Sequence, residues 1–330
     1  MEILLQQECE SEGPTPTTAP QPIFILGIAP RSGTHFLANL LCLHPFCTKS
    51  AIPEDALLSE AALLDRYSRA LEKRWAQQAG MDHHALRELL IENLGSGLIS
   101  FLQQARTRVL EDNAKRFGNS LTGLDRRIVT KTPGVTGLQQ CFRLFPSAQL
   151  LILVRDGRAV VESCVQSFKQ EPERAMRDWA QAAEKILQFD RDPNNKGRAY
   201  LLIRYEDLVQ DVESETSRIL CFLGLDIERY DLEAARHLPV VGSSSFKRGA
   251  GPVHWLPVCK TAEFKPLERA GHWDRSQHER FNWICKEYLE AFGYEPKEYG
   301  NNRLLWTLWN RTKDLKWQLN RTKTNLKSRI

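Results

Sequence analysis

The stretch Gly27-Ile28-Ala29-Pro30-Arg31-Ser32-Gly33-Thr34-His35 joins an apolar run to a segment with helical spacing. A glycine-containing turn of this kind points several backbone N–H groups into one small volume, and the helix that follows adds its partial positive charge. Arg31 supplies a full charge with bidentate reach toward phosphate or sulfate oxygens. The chemistry written here is anion binding; the alternative is a plain strand-to-helix turn with Gly33 relieving strain and Arg31 solvated. A triphosphate-hydrolysing loop would place Lys directly after its last glycine, then a Ser or Thr for magnesium. Here Thr34 and His35 follow Gly33 and the cation precedes it, so a nucleotide without a transferring triphosphate fits better.

A second feature of the same kind lies in LLILVRDGRAVVESC, residues 150–164. It sets Arg155 at the carboxyl edge of an apolar strand, Asp156 at a helix start and Ser163 eight residues after the arginine. Ligands of open α/β sheets collect beyond the carboxyl ends of the strands, where the Arg31 loop also points. A rival reading pairs Arg155 with Asp156 or Glu162 and bonds Ser163 to its own backbone.

The elements that must position these residues follow from short apolar runs at 22–29, 127–131, 149–156 and 199–205, each followed by helical spacing. Strands alternating with helices predict a parallel sheet in an α/β fold. Residues 55–116 are mainly helical and too long for a plain crossover, so they predict a helical insertion beside the sheet. One amphipathic helix is expected over 207–225, ending at Gly224, and another over 276–293, stopped by Gly293 and Pro296. The pattern does not specify strand order.

With 45 Lys+Arg against 41 Asp+Glu and 42% hydrophobic residues, the chain belongs with soluble globular proteins, not disordered, fibrous or membrane-spanning ones. Residues 1–21, with GPTPTTAPQ, predict a flexible leader, residues 22–300 the folded domain and residues 301–330 a basic tail. The tail holds eight Lys/Arg and one Asp, a net +7, which leaves −3 on residues 1–300. A near-neutral body argues against nucleic-acid binding. Leu305, Leu308, Leu315, Leu319 and Leu326 form one helical stripe between basic residues. Such a helix is expected to lie on an anionic membrane, pair with a partner or second copy, or fold back on its own domain. Eight single cysteines without a CxxC pair predict a reducing, cytoplasmic setting.

Pro30-Arg31-Ser32-Gly33-Thr34 after a strand, His44-Pro45, Lys131-Thr132-Pro133, LLILVRDGRAVVES and Tyr205-Glu206-Asp207-Leu208 resemble, in this order, the sulfotransferases that use 3′-phosphoadenosine-5′-phosphosulfate (PAPS). The resemblance spans roughly residues 22 to 295 and is strongest to tyrosylprotein and bacterial carbohydrate-type members, through PRSGT, VRDGR and Trp273. It implies a P-loop-like sheet flanked by helices and transfer of a sulfuryl group to a saccharide, tyrosine or lipid hydroxyl, without a metal. By the same resemblance, Arg31 and the N–H groups of Ser32, Gly33, Thr34 and His35 hold the 5′-phosphosulfate, and Arg155 and Ser163 hold the 3′-phosphate with Tyr205 nearby. Glu54 matches the region of the catalytic base and Lys131 the lysine that steadies the leaving group. His35 and His44 are rival bases.

The chain departs from the tyrosylprotein pattern at His272, where a basic residue precedes the late Trp. Lys247 or Arg248, in a basic-glycine loop similar to that of cytosolic members, is expected to supply the contact instead. A magnesium-dependent phosphotransferase and a catalytically idle PAPS-binding module are the other readings of these loops.

Overall fold

Ile23–Gly27 is apolar throughout and buried at every residue, as a strand covered on both faces requires. In the computed structural model this strand, β1, lies at the centre of a five-stranded sheet. Its companions are β2 (Cys47–Lys49), β3 (Arg127–Thr132), β4 (Gln149–Val154) and β5 (Tyr200–Arg204). The order is β2-β3-β1-β4-β5 and every pairing is parallel. The structure describes residues 21–78, 80, 82–117, 125–242, 253, 256–260, 264–300 and 302–327. The expected leader, apart from Gln21, and both Lys247 and Arg248 lie outside the described residues.

Eleven helices surround the sheet among the described residues: α1 (Thr34–Leu41), α2 (Ala61–Trp75), α3 (His83–Phe117), α4 (Cys141–Leu144), α5 (Gly157–Phe168), α6 (Pro172–Arg191), α7 (Tyr205–Gln210), α8 (Val212–Leu223), α9 (Leu232–Arg236), α10 (Arg275–Ala291) and α11 (Arg303–Lys327). Because side chains alternate across a strand, β1 and β4 feed two cores. Phe24, Leu26, Leu150 and Ile152 pack with α5, α6 and α10 around the fully buried Trp179. Ile23, Ile25, Leu151 and Leu153 pack on the opposite side with α1, α7, α8 and α9.

The expected α/β class and its four strands are present, and the helical insertion is the pair α2 and α3. Asp65 of α2 joins the two helices to each other and to the body, accepting from Arg87 of α3 at 2.6 Å and from Arg143 of α4 at 3.1 Å. One strand was not foreseen and one expected helix is corrected. Edge strand β2 gave no apolar run, being three residues long with only Cys47 buried. The single helix expected over 207–225 is two helices. Asp211 breaks them at φ −135° and caps α8 by accepting from the Ser214 N–H at 3.0 Å. Gly224 ends α8 in the left-handed conformation, as its spacing predicted.

The tail is helical and docks on the body through the side that carries Trp306, Trp309, Asn310, Asp314 and Trp317. Asp314 accepts from Arg280 of α10 at 2.7 Å and from the Trp283 indole at 2.8 Å, and it also pairs with Arg177 of α6. Asn310 is buried and receives the Arg280 guanidinium at 3.1 Å. Arg280 in turn pairs with Glu173.

Candidate active site

The two anion-binding features predicted from sequence start side by side. Leu26 is in register with Ile152 and Gly27 with Leu153, and the Ile28 N–H extends the ladder to the Leu153 carbonyl at 2.9 Å. β1 is flanked by β3 on one side and β4 on the other, so the chain leaves in opposite directions at this edge, where open α/β sheets form their crevice.

The loop after β1 is tightly folded. Gly33 precedes α1 with φ 103°, and a Cβ there would stand 2.4 Å from the Tyr205 ring, so glycine is required twice over. Arg31 also adopts a left-handed backbone, φ 74°, an uncommon conformation for a residue with a side chain. No side chain caps the first turn of α1 and no acidic residue stands in it. Its N–H groups and helix-end charge therefore stay directed at the crevice. Ser32 is buried with a hydroxyl that finds no hydrogen-bond partner among the described residues.

Arg31 reaches across to α5 and donates from Nε to Ser163 Oγ at 3.1 Å. Arg155, almost fully buried, donates to the Arg31 carbonyl at 2.8 Å and to the Pro266 carbonyl at 2.7 Å, and its guanidinium lies 4.2 Å from the Tyr205 ring centroid. The rival pairing of Arg155 with Asp156 or Glu162 is not what the fold forms. Asp156 caps α5 and binds Arg158 at 2.7 Å, while Glu162 accepts from the Trp273 indole at 2.8 Å and lies 3.3 Å from His272. Burial and the neighbouring Arg155 hold the Arg31 guanidinium below its usual range.

Sequence reasoning missed a third cation, Arg269. Burial, then Arg155, then Arg31 bring its guanidinium down to about 10. Three arginines from three distant segments thus share one largely desolvated volume, an arrangement that a doubly charged anion would relieve. The available signal was position: Arg269 stands four residues before Trp273, in the segment where a basic residue was sought at His272.

On the β3 side, Lys131 is buried and its ammonium donates to Glu54 Oε1 at 3.0 Å, with Glu54 half exposed. Glu54 is no helix-start residue, since α2 begins at Ala61. Its neighbour Asp55 accepts from the Leu57 N–H at 3.0 Å, and burial raises its carboxyl. His35 stands between the two halves of the crevice: burial, then Lys131, then Lys49, push its imidazole down to about 4, with Glu54 and Arg31 also acting on it. Lys49 of β2 is a further cation that the sequence did not mark. His44 lies apart from this cluster, accepting the Phe46 N–H at Nδ1 and bonding the Asp226 carbonyl through Nε2 at 3.0 Å, so its role is to hold a turn.

A parallel sheet with an uncapped, arginine-lined loop at its switch point defines a P-loop-like α/β protein. A family model described as "Sulfotransferase family" matches residues 22–229, well over half of the chain. The chain belongs to the sulfotransferase family. A Caenorhabditis briggsae protein provisionally named a protein-tyrosine sulfotransferase is 30% identical over 108 residues, 31% of this chain and 36% of that protein. The match therefore spans about a third of that relative. Among solved structures, the sulfotransferase domain of the Synechococcus olefin synthase is 20% identical, covering 88% of this chain and 99% of that one with a TM-score of 0.44. A mouse sulfotransferase complexed with PAP is 16% identical, covering 82% and 84% with a TM-score of 0.37.

Proposed function

We propose that the chain transfers the sulfuryl group of PAPS to a hydroxyl-bearing acceptor, a saccharide, a tyrosine or a lipid headgroup. The observation that carries this reading is the junction of Arg31 with Arg155 at 2.8 Å and with Ser163 at 3.1 Å, with Arg269 and the Lys131–Glu54 pair close by. In this reading Arg31, Ser32, Gly33, Thr34 and His35 hold the 5′-phosphosulfate through one guanidinium and the N–H groups at the start of α1. Arg155, Ser163 and Arg269 hold the 3′-phosphate, with Tyr205 packed against Arg155. Each charge-assisted hydrogen bond contributes about 1.5 to 3 kcal/mol.

Glu54 takes the acceptor's hydroxyl proton as the acceptor oxygen bonds to sulfur. The bond from sulfur to the bridging phosphate oxygen breaks, and Lys131 meets the charge that develops on that oxygen. The ion pair sets base and cation 3.0 Å apart, within reach of one reacting centre. His35, kept neutral at pH 7 by burial, Lys131 and Lys49, offers its ring as a hydrogen-bonding wall between donor and acceptor. The transfer draws on these side chains and on no metal ion.

The test is a transfer assay with isotopically labelled PAPS across saccharide, tyrosine-peptide and lipid-headgroup acceptors, beside calorimetric titration of PAP and of ATP with magnesium. Label on one acceptor class and binding of PAP in preference to ATP are expected. Tighter binding of ATP with magnesium would overturn the reading in favour of phosphoryl transfer.

A further inference from the structure

The C-terminal helix resolves the three expectations for the tail in a way its sequence did not show, because it docks by one side and leaves the leucine stripe facing outward. Leu304, Leu305, Leu308, Leu315 and Leu319 are 61–82% exposed, while Asn310 on the opposite side of the helix is 2% exposed. Soluble proteins rarely display a contiguous apolar stripe without a partner for it. Arg311 follows Leu308 by three residues and precedes Leu315 by four, and Lys316 precedes Leu319 by three, so both cations share the leucine side. Both are exposed. Asp314, the single acidic residue from 301 to 330, faces the body and is matched there by Arg177 and Arg280. The outward face therefore presents leucines and cations with no carboxylate among its described residues.

We propose that this face is a docking surface for an anionic lipid bilayer, with α11 lying in the plane of the headgroups and its leucines reaching the acyl boundary. An apolar stripe rimmed by Lys and Arg matches the layered chemistry of such a surface, with apolar chains beneath and negative headgroups above. A second copy is disfavoured by charge, because two apposed faces would bring Arg311 and Lys316 against their own kind, on tails of +7 each. Spanning is ruled out by polarity, since among the described residues no helix is long and apolar enough to cross a membrane. The proposal does not depend on the donor or the acceptor of the transfer reaction.

Sedimentation of the full chain with vesicles tests it, using phosphatidylcholine alone and phosphatidylcholine mixed with phosphatidylserine, at low and high salt. Binding is expected only to the mixed vesicles and is expected to weaken as salt rises. Leu308→Ser with Leu315→Ser removes apolar reach and is expected to lower the partition coefficient about tenfold or more. Arg311→Glu with Lys316→Glu is expected to abolish the preference for phosphatidylserine. All four positions are exposed, so an unchanged melting midpoint distinguishes lost docking from lost fold. Equal sedimentation of wild type and both double variants would overturn the proposal. So would a wild-type dimer in solution that the leucine variant dissolves while neither binds vesicles.

Discussion

Arg31 Nε donates to Ser163 Oγ at 3.1 Å, so the loop after β1 and the second turn of α5 are joined before any ligand arrives. Arg155 closes the same junction by donating to the Arg31 carbonyl at 2.8 Å. The two anion-binding features are thus one preorganised unit, and little ordering remains to oppose ligand binding.

The division of labour in this unit is testable by comparing two ligands. Arg155→Ala is expected to weaken PAP by about 10- to 100-fold, the loss of one charged hydrogen-bonding group, and to change adenosine 5′-phosphate far less. Calorimetric titration of both ligands against both proteins measures the difference. Equal losses would contradict the assignment of Arg155 to the 3′-phosphate.

Arg269 makes a separate prediction because no motif marks it. Arg269→Met preserves most of the side-chain length and removes the charge. It is expected to weaken PAP by about 10- to 100-fold and to shrink the rise in melting midpoint that saturating PAP produces. Differential scanning fluorimetry with and without PAP reads both effects.

Glu54→Gln keeps the shape and removes the base. The turnover number is expected to fall by about two to four orders of magnitude while PAP affinity stays within a few-fold of wild type. Retention of most of the rate, with the donor still bound, would remove Glu54 from the proton transfer.

His35 links the site to pH. Its imidazole titrates near 4 in the folded chain against an ordinary 6.5, so on acidification the unfolded chain takes up the proton first. The stability this contributes is fully present above about 6.5 and is lost progressively as pH falls toward about 4. Urea unfolding across that window is expected to show a shallower dependence in His35→Gln than in wild type.

Glu162 ties the segment after Pro266 to α5. It accepts from the buried Trp273 indole at 2.8 Å and so holds the segment that carries Pro266 and Arg269. Glu162→Ala leaves that N–H unpaired and is expected to destabilise the fold by about 1 to 3 kcal/mol and to weaken PAP. Glu162→Gln retains an acceptor oxygen and is expected to recover most of both, as chemical unfolding and titration would show.

The parts of this architecture that the sequence revealed are those fixed by local pattern. β1 and β4 are apolar along nearly their whole length because both faces are covered, and Gly33 and Gly224 stand where the backbone turns left-handed. The meeting of Arg31 with Ser163 was legible as two anion-seeking segments at strand ends, but adjacency of β1 and β4 is a property of topology and not of either segment. Arg269 and Lys49 were hidden for the same reason. Each lies in a short stretch without periodicity, and only the folded chain brings them to Arg155 and His35. The outward leucine stripe was misleading in the other direction, since a helix amphipathic by sequence is expected to bury its leucines, and here Asn310, Asp314, Trp306 and Trp317 make the contact.

The seating of β1 between β3 and β4 also makes the crevice a gauge of molecular length. Neighbouring strands lie about 4.8 Å apart, so cations at the tips of β3 and β4 stand two such steps from each other, roughly 10 Å, with the glycine turn midway. On the proposed assignment, a compound carrying negative charge at a single end touches one jaw and leaves the other idle, and selection among nucleotides follows from the span between their charged groups, a property set by the weave of the sheet.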